Sequence, residues 1–225
     1  MSADKYIIIE PTGGLCNRLR VIFDHLHRAL RDNKALVVVW RKKQECGEHY
    51  LDYFHKIENV TFVENLQAGS HIDYRGCSGN PPNYAGLKLQ KSLHDEISSV
   101  RQKLFGDFNY IAVHIRRTDH IQLAQSKDRY TDDLCFQKFV DHQPKYKVYL
   151  ATDNAETQNL FLSLYPERVV VYQRIRPSSS LRQTSLKHSI MDLYLCISAI
   201  YFLGSGYSSF SDLITRFRQD DILRP

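Results

Sequence analysis

The stretch YIAVHIRRTD, from Tyr110 to Asp119, joins a run that is typical of a buried strand to two adjacent arginines. Its first six residues are apolar or β-branched apart from one histidine, which favours a pleated, buried surface. Strand alternation places the side chains of Arg116 and Arg117 on opposite faces, with His114 on the Arg116 side. We therefore expect Arg116 to face an anionic ligand, whereas Arg117 turns back toward an acid such as Asp119.

The rest of the chain repeats this alternation of strand and helix. The predicted strands are residues 5–10, 35–40, 60–64, 110–115, 147–152, 168–172 and 199–204, and the predicted helices fall near residues 16–31, 93–104, 135–140, 156–164, 181–198 and from 209 onward. The strands are apolar on both faces, which indicates parallel sheets covered by helices on both sides. We predict an α/β fold with two halves, residues 1–106 and 107–225, of which the first is small and irregular. Residues 68–87 are predicted to form a long loop.

The composition narrows the classes of protein that fit. The 225 residues carry a formal charge of +5 without a dense basic block, so an ordinary solvated surface and a compact phosphate site both fit better than a nucleic-acid track. The five cysteines are widely spaced, so neither a disulfide framework nor a zinc site is expected. No run approaches the roughly 18 apolar residues that span a bilayer. We expect a soluble protein, either cytoplasmic or a trimmed lumenal domain.

The segment EPTGGLCNRLR places paired glycines between the first strand and the first helix. Gly13 and Gly14 would allow the backbone to approach a ligand and would leave the N–H groups of the helix N-terminus exposed to it. Asn17 and Arg18 add an amide and a cation at the same position. A plain tight turn is the alternative interpretation of the two glycines.

Polar side chains also follow the later strands. Thr152, Asp153 and Asn154 come at the end of the strand KVYLAT, and helix capping is the alternative role for all three. Asp192 lies beside the apolar face of a helix, where it could be solvated or could bind a ribose or a base. Ser208 and Ser209 precede the last helix and could provide hydroxyls for a phosphate.

Several catalytic motifs are absent from the sequence. It contains no D-x-D, no G-x-S-x-G and no H-E-x-x-H, and its ten histidines show no metal-ligand spacing. We therefore expect a site without a metal, in which arginine and backbone N–H groups bind a diphosphate. These residues alone do not identify the reaction.

The segments VHIRRTD, VYLATD, SLKHSIMDLY and GYSSFS, in this order over residues 108–216, resemble the donor-binding half of GDP-fucose-dependent fucosyltransferases. The resemblance is nearest to the α1,6 group, with kinship to the α1,2 and protein O-fucosyltransferase groups. GGLCNR resembles the N-terminal Gly-Gly loop of that superfamily. The resemblance implies a GT-B-like fold with two Rossmann-like halves, and inverting transfer of fucose from GDP-fucose to a glycan hydroxyl. It implies no cofactor and no metal, and we expect no nucleic acid as a partner and no membrane span in this chain.

The resemblance also implies roles for individual residues. Arg116 resembles the arginine that contacts the donor diphosphate, and His114 resembles its neighbour in the nucleotide pocket. Asp192 resembles the acid that recognises guanine, and Ser208 and Ser209 resemble the hydroxyls around the phosphates. The other expected site residues are Asn17 and Asp119 for catalysis and Gly13, Gly14, Arg18, Thr152 and Asp153 for donor binding.

The sequence departs from the α1,6 pattern at the glutamate that follows the arginine motif, near which this chain has Ala124. Asp119, His120 or Asp24 could supply a general base instead, or a dissociative reaction could proceed with little base assistance. Three alternatives to fucosyl transfer stay open. They are a transferase for another sugar nucleotide, a non-catalytic nucleotide- or glycan-binding relative, and a basic nucleic-acid-binding protein.

Overall fold

The structure is a computed structural model that describes residues 5–66, 70–74, 77, 82–119, 121–175 and 184–220. The chain divides into two compact units, Met1–Leu93 and His94–Pro225. This division falls inside the helix α2, Lys91–Phe105, whereas the boundary predicted from the sequence lies just after it. Among the described residues, no helix combines the length and the apolar character that a membrane span requires.

The N-terminal unit contains a three-stranded parallel sheet in the order β1-β2-β3. Its elements are β1 (Tyr6–Ile9), α1 (Leu15–Arg31), β2 (Ala35–Val39), a 3-10 turn (Tyr50–Asp52) and β3 (Val60–Val63). Four of the five β2 residues are buried, and α1 buries the apolar face that its sequence predicts, including Leu19, Ile22 and Phe23. Contacts of α1 with β1 and β2 complete a β-α-β crossover.

The C-terminal unit contains a four-stranded, fully parallel sheet in the order β6-β5-β4-β7. Its elements are β4 (Tyr110–Ile115), α3 (Ile121–Ser126), α4 (Asp133–Asp141), β5 (Lys147–Thr152), α5 (Ala155–Leu164), β6 (Val169–Val170), α6 (Leu186–Ser198), β7 (Tyr201–Gly204) and α7 (Ser209–Asp220). Every residue of β4 is buried, which agrees with its position inside the sheet.

Helices cover both faces of this second sheet. On one face, Phe136 of α4 and Phe161 of α5 pack with the branched side chains of β4 and β5. On the other face, Tyr110, His114 and Tyr149 carry polar groups that form hydrogen bonds with residues of α6 and α7. The Tyr110 hydroxyl donates to the Leu195 carbonyl at 2.7 Å, for example, so that the buried phenol is satisfied.

The strand order creates a switch point between β4 and β7. From β4 the chain moves through β5 to β6 on one side and then returns to place β7 on the other side. In open parallel sheets, ligands bind beyond the carboxyl ends of the strands at such a point. Arg116 directly follows β4, and the turn from Ser205 to Ser208 directly follows β7, so both lie at this edge.

The structure confirms the predicted α/β class and most of the predicted elements. β6 has two residues where a strand over 168–172 was predicted, and α6 begins at Leu186, later than the predicted start at 181. Helix α3 was not predicted, because its six residues are too few to show a helical period. Residues 181–183 and much of the predicted loop over 68–87 lie outside the described residues.

Candidate functional site

Arg116 is the cation at the switch point of the C-terminal sheet. Its backbone N–H donates to the Ser205 hydroxyl at 2.9 Å, which joins the ends of β4 and β7. Its guanidinium pairs with Asp153, with 2.8 Å between Nη1 and Oδ2, and also with Asp119. The side chain is 20% exposed, so the guanidinium is within reach of a ligand at this edge.

Arg117 turns into the protein, as the strand alternation predicts. Its Nη2 donates to the Asp133 carboxylate at 2.6 Å and to the Thr131 carbonyl at 2.9 Å, and its guanidinium lies over the ring of Tyr130. The prediction that Arg117 turns back to pair with an acid is confirmed, but the acid is Asp133 and not Asp119. Asp119 pairs with Arg116, and the acid of the first turn of α4 takes its place at Arg117.

Asp153 organises the loop that follows β4. Its Oδ1 accepts a hydrogen bond from the Arg117 backbone N–H at 2.9 Å, and its Oδ2 accepts one from the Thr118 hydroxyl at 2.5 Å. Thr152 donates to the Ile115 carbonyl at 2.6 Å and so holds the ends of β4 and β5 together. Of the three residues predicted as possible helix caps, Asn154 is the one whose side chain caps α5.

The turn between β7 and α7 needs its two glycines because other atoms approach them closely. A Cβ at Gly204 would lie 2.6 Å from Ser211 side-chain atoms, and a Cβ at Gly206 would lie 2.1 Å from the Arg129 carbonyl oxygen. The Gly206 N–H donates to the Thr131 hydroxyl at 3.0 Å. The neighbouring atoms therefore leave no room for a side chain at either glycine and restrict the backbone conformation of the turn.

Ser208 and Ser209 lie where α7 begins. The Ser208 carbonyl accepts a hydrogen bond from Asp212 N–H at 2.9 Å, and the buried Ser208 hydroxyl lies 3.5 Å from the Ser211 nitrogen. The first N–H groups of a helix carry partial positive charge and bind anions. Because α7 begins just after β7 and Arg116 just after β4, this helix start and Arg116 lie at the same edge of the sheet.

His114 is buried on the face of β4 that α7 covers. Its Nδ1 lies 2.8 Å from the Ser211 hydroxyl, and its ring centroid lies 4.7 Å from that of Phe210. Burial lowers the pKa of His114 to about 4, against the opposing charge of Asp153 and with a further lowering by Arg116 and Arg117. The imidazole is therefore neutral near pH 7.

Asp192 is buried within the C-terminal unit, so the alternative of a solvated acid is wrong. Its Oδ1 accepts a hydrogen bond from the Tyr149 hydroxyl at 2.5 Å, and its Oδ2 lies 3.5 Å from His188 Nε2. Burial raises the pKa of Asp192 to about 6, although His188 and Tyr149 both oppose the shift. Its recognition of guanine stays a prediction.

In the N-terminal unit, Arg18 supports the glycine loop from inside. Its side chain is fully buried, and its Nε and Nη1 donate at 2.8 Å to the carbonyls of Gly13 and Arg41. Gly13 has a φ of +80°, a conformation that favours glycine. Gly14 precedes α1 without a side-chain cap, and Asn17 accepts a hydrogen bond from Arg20 at 3.2 Å. The predicted donor and acceptor contacts of this loop stay predictions.

The residues considered for the general base lie in different surroundings. His120 lies outside the described residues. Asp24 is buried on α1, with 3.8 Å between its Oδ2 and Arg28 Nη2, and Ala124 is buried on α3. Within the described residues, no group of three or more His, Cys, Asp or Glu side chains could hold a metal ion.

Sequence reasoning missed Ser205, Ser211 and Thr131. Ser205 lies between the two glycines that mark the turn, and this position was the available signal for it. Ser211 and Thr131 are joined to the site by contacts that are distant in sequence, namely those with His114 and Gly206. A single sequence carries no local signal for such contacts.

No model of a known protein family matches the chain, and no curated protein matches it in sequence. Solved structures do match it in fold. Fucosyltransferase NodZ from Bradyrhizobium is 15% identical with a TM-score of 0.64, and the match covers 93% of this chain and 91% of that chain. POFUT1 in complex with GDP is 12% identical with a TM-score of 0.60, and the match covers 97% and 96%.

These similarities confirm the predicted fold class. The chain has the α/β fold of the NodZ and POFUT1 structures, with parallel sheets flanked by helices. The likeness in fold to fucosyltransferases also agrees with the resemblance that the sequence motifs indicate.

Arg117→Ala should destabilise the protein, because the change leaves the Asp133 carboxylate and the Thr131 carbonyl without their donor. We expect the free energy of unfolding to fall by about 2 kcal/mol, measured by chemical denaturation. A cycle with Asp133→Ala should show that the two losses are not additive. A variant of normal stability that has lost ligand binding would contradict this structural role.

His114→Gln should change how stability depends on pH. Between pH 4 and 6.5 the unfolded histidine binds a proton and the folded one does not, so His114 makes the wild type gain stability as the pH rises. The advantage of wild type over the variant should therefore grow by up to about 3 kcal/mol across this range. Asp192, whose pKa is raised to about 6, makes the protein lose stability as the pH rises from the usual pKa of an aspartate to about 6. Because both proteins contain Asp192, this effect cancels in the comparison.

The measurement is the free energy of unfolding of the two proteins at several pH values, from chemical denaturation. Parallel profiles from pH 4 to 6.5 would show that His114 is not held neutral in the fold.

Proposed function

We propose that this chain is a glycosyltransferase that moves L-fucose from GDP-fucose to a hydroxyl of a glycan, with inversion and without a metal ion. The observation that carries the proposal is the position of Arg116, which lies at the switch point of the C-terminal sheet, at the same edge as the start of α7. The shared fold supports it, since one matching structure is NodZ alpha-1,6-fucosyltransferase soaked with GDP-fucose and another is POFUT1 in complex with GDP-fucose.

Arg116 can accept a diphosphate by exchanging one of its two carboxylate partners. Asp153 is 8% exposed and also accepts hydrogen bonds from Arg117 and Thr118, whereas Asp119 is 25% exposed. We expect Asp119 to give way to the phosphate oxygens. A guanidinium binds two such oxygens at once, and each charge-assisted hydrogen bond contributes about 1.5–3 kcal/mol.

The reaction would break the bond between fucose C1 and the GDP oxygen and form a bond between C1 and the acceptor oxygen. Positive charge develops on the sugar and negative charge on the departing GDP. Arg116 and the N–H groups at the start of α7 would stabilise the charge on GDP. Because these groups supply positive charge at the leaving oxygen, a metal ion is not required in this proposal.

The acceptor hydroxyl must lose its proton as the new bond forms. Asp119, once released from Arg116, is one candidate to receive it, and Asp24 and His120 are the others. Attack on the face opposite the leaving group converts a β-linked donor into an α-fucoside. The buried, neutral His114 would line the nucleotide pocket without adding charge to it.

A second candidate is a non-catalytic protein that binds a nucleotide sugar. The observation that favours it is Ala124, which is buried on α3 near the position where the α1,6 group carries its glutamate. Such a protein would bind GDP-fucose but would neither transfer fucose nor hydrolyse the donor. Measured transfer to any glycan acceptor would exclude it.

Arg116→Ala should abolish fucosyl transfer and weaken GDP binding by at least tenfold, because the diphosphate loses its cation. The side chain is partly exposed, so we expect the thermal unfolding temperature to change little. Arg116→Lys is the matched control, because it keeps the charge but loses the planar pair of donors. Its transfer activity and GDP affinity should lie between those of the wild type and of Arg116→Ala. Calorimetric titration with GDP and a transfer assay measure these effects, and near-normal activity in Arg116→Ala would refute the assignment.

A further inference from the structure

Thr131 joins two loops that meet at the switch point of the C-terminal sheet. Its hydroxyl accepts a hydrogen bond from the Gly206 N–H at 3.0 Å, and its carbonyl accepts one from Arg117 Nη2 at 2.9 Å. Residues 129–131 belong to the connection between α3 and α4, and Gly206 belongs to the turn between β7 and α7. The contact therefore links two segments that lie 75 residues apart in the chain.

The two segments fit closely at this contact. The Arg129 carbonyl approaches Gly206 so nearly that a Cβ there would lie 2.1 Å from its oxygen. Arg117 holds the loop from the other side through Asp133 as well as through Thr131. The loop over residues 129–131 is thus fixed by the buried arginine, and it in turn limits where Gly206 can lie.

The residue after Gly206 has an unfavourable backbone conformation. Tyr207 has a φ of +57°, in the left-handed region that non-glycine residues rarely occupy. Such a conformation persists where surrounding contacts hold it. The hydrogen bond from Gly206 to Thr131 is one such contact, and it lies directly before the strained residue.

The conformation of this turn decides where α7 begins. The Ser208 carbonyl accepts the hydrogen bond from Asp212 at the start of the helix, and Ser205, at the other end of the turn, binds the Arg116 backbone N–H. A turn that relaxed at Gly206 or Tyr207 would move the first N–H groups of α7 relative to Arg116.

We infer that Thr131 is a positioning residue for the proposed diphosphate site, because its hydroxyl holds the turn that sets the start of α7 beside Arg116. This inference rests on the proposed function. Thr131 acts through Gly206 and does not itself bind the donor. Its loss should therefore weaken binding of the diphosphate more than binding of a ligand that lacks the second phosphate.

The test compares Thr131→Val, which keeps the branched shape and removes the hydroxyl, with Thr131→Ser, which keeps the hydroxyl. One lost neutral hydrogen bond corresponds to about fivefold in an equilibrium constant, so Thr131→Val should weaken GDP binding by about that factor. Binding of GMP should change by less than about twofold, and Thr131→Ser should restore GDP affinity to near the wild-type value. Calorimetric titration measures both ligands.

Amide hydrogen exchange followed by NMR gives a readout that does not depend on ligand. The Gly206 N–H should exchange faster in Thr131→Val than in wild type and Thr131→Ser. Equal GDP affinities in the Val and Ser variants, with binding intact in wild type, would overturn this inference alone. An equal loss of GMP and GDP affinity in Thr131→Val would also overturn it. Failure of the wild type to bind GDP would overturn the proposed function and this inference with it.

Discussion

The carboxylate of Asp153 is the constraint on which the site depends. It lies at the end of β5 and binds the Arg116 guanidinium, the Arg117 backbone N–H and the Thr118 hydroxyl. These contacts fix where the chain leaves β4 and send two adjacent arginines in opposite directions. One cation stays at the edge of the sheet, and the other is buried under α4. A single acid thereby separates a partly exposed arginine from a buried one.

Around this acid, the hydrogen bonds of the site join elements on the two sides of the switch point between β4 and β7. Arg116 binds Ser205, His114 binds Ser211, and Gly206 binds Thr131. All three pairs are distant in sequence, and each joins the β7–α7 region to β4 or to the loop after α3. The switch point is therefore a preorganised edge, in which backbone and hydroxyl groups are already oriented before a ligand arrives. Preorganisation of this kind is how a site stabilises charge that develops during a reaction.

The sequence predicts the fold well because parallel strands and covering helices leave local patterns. The six buried residues of β4 and the helical period of α1 are examples, and strand alternation predicts the opposite directions of Arg116 and Arg117. The partners of these side chains are a different matter. Arg117 pairs with Asp133 because of how α4 packs on the sheet. Asp192 is buried against Tyr149 because of how α6 packs on it. Such contacts arise from tertiary structure, so the pattern of a single sequence does not specify them.

The central claim is that the anion beside Arg116 is a guanosine diphosphate, and thermal unfolding of the wild-type protein tests it most directly. The melting temperature would be measured with GDP, UDP, ADP and CMP, each with and without EDTA. A ligand at about 100 times its dissociation constant stabilises the folded state by about 2.7 kcal/mol, which such a measurement resolves. We predict that GDP alone raises the melting temperature and that EDTA leaves this shift unchanged. A shift with another nucleotide in place of GDP, a shift that EDTA removes, or no shift with any of them would contradict the account.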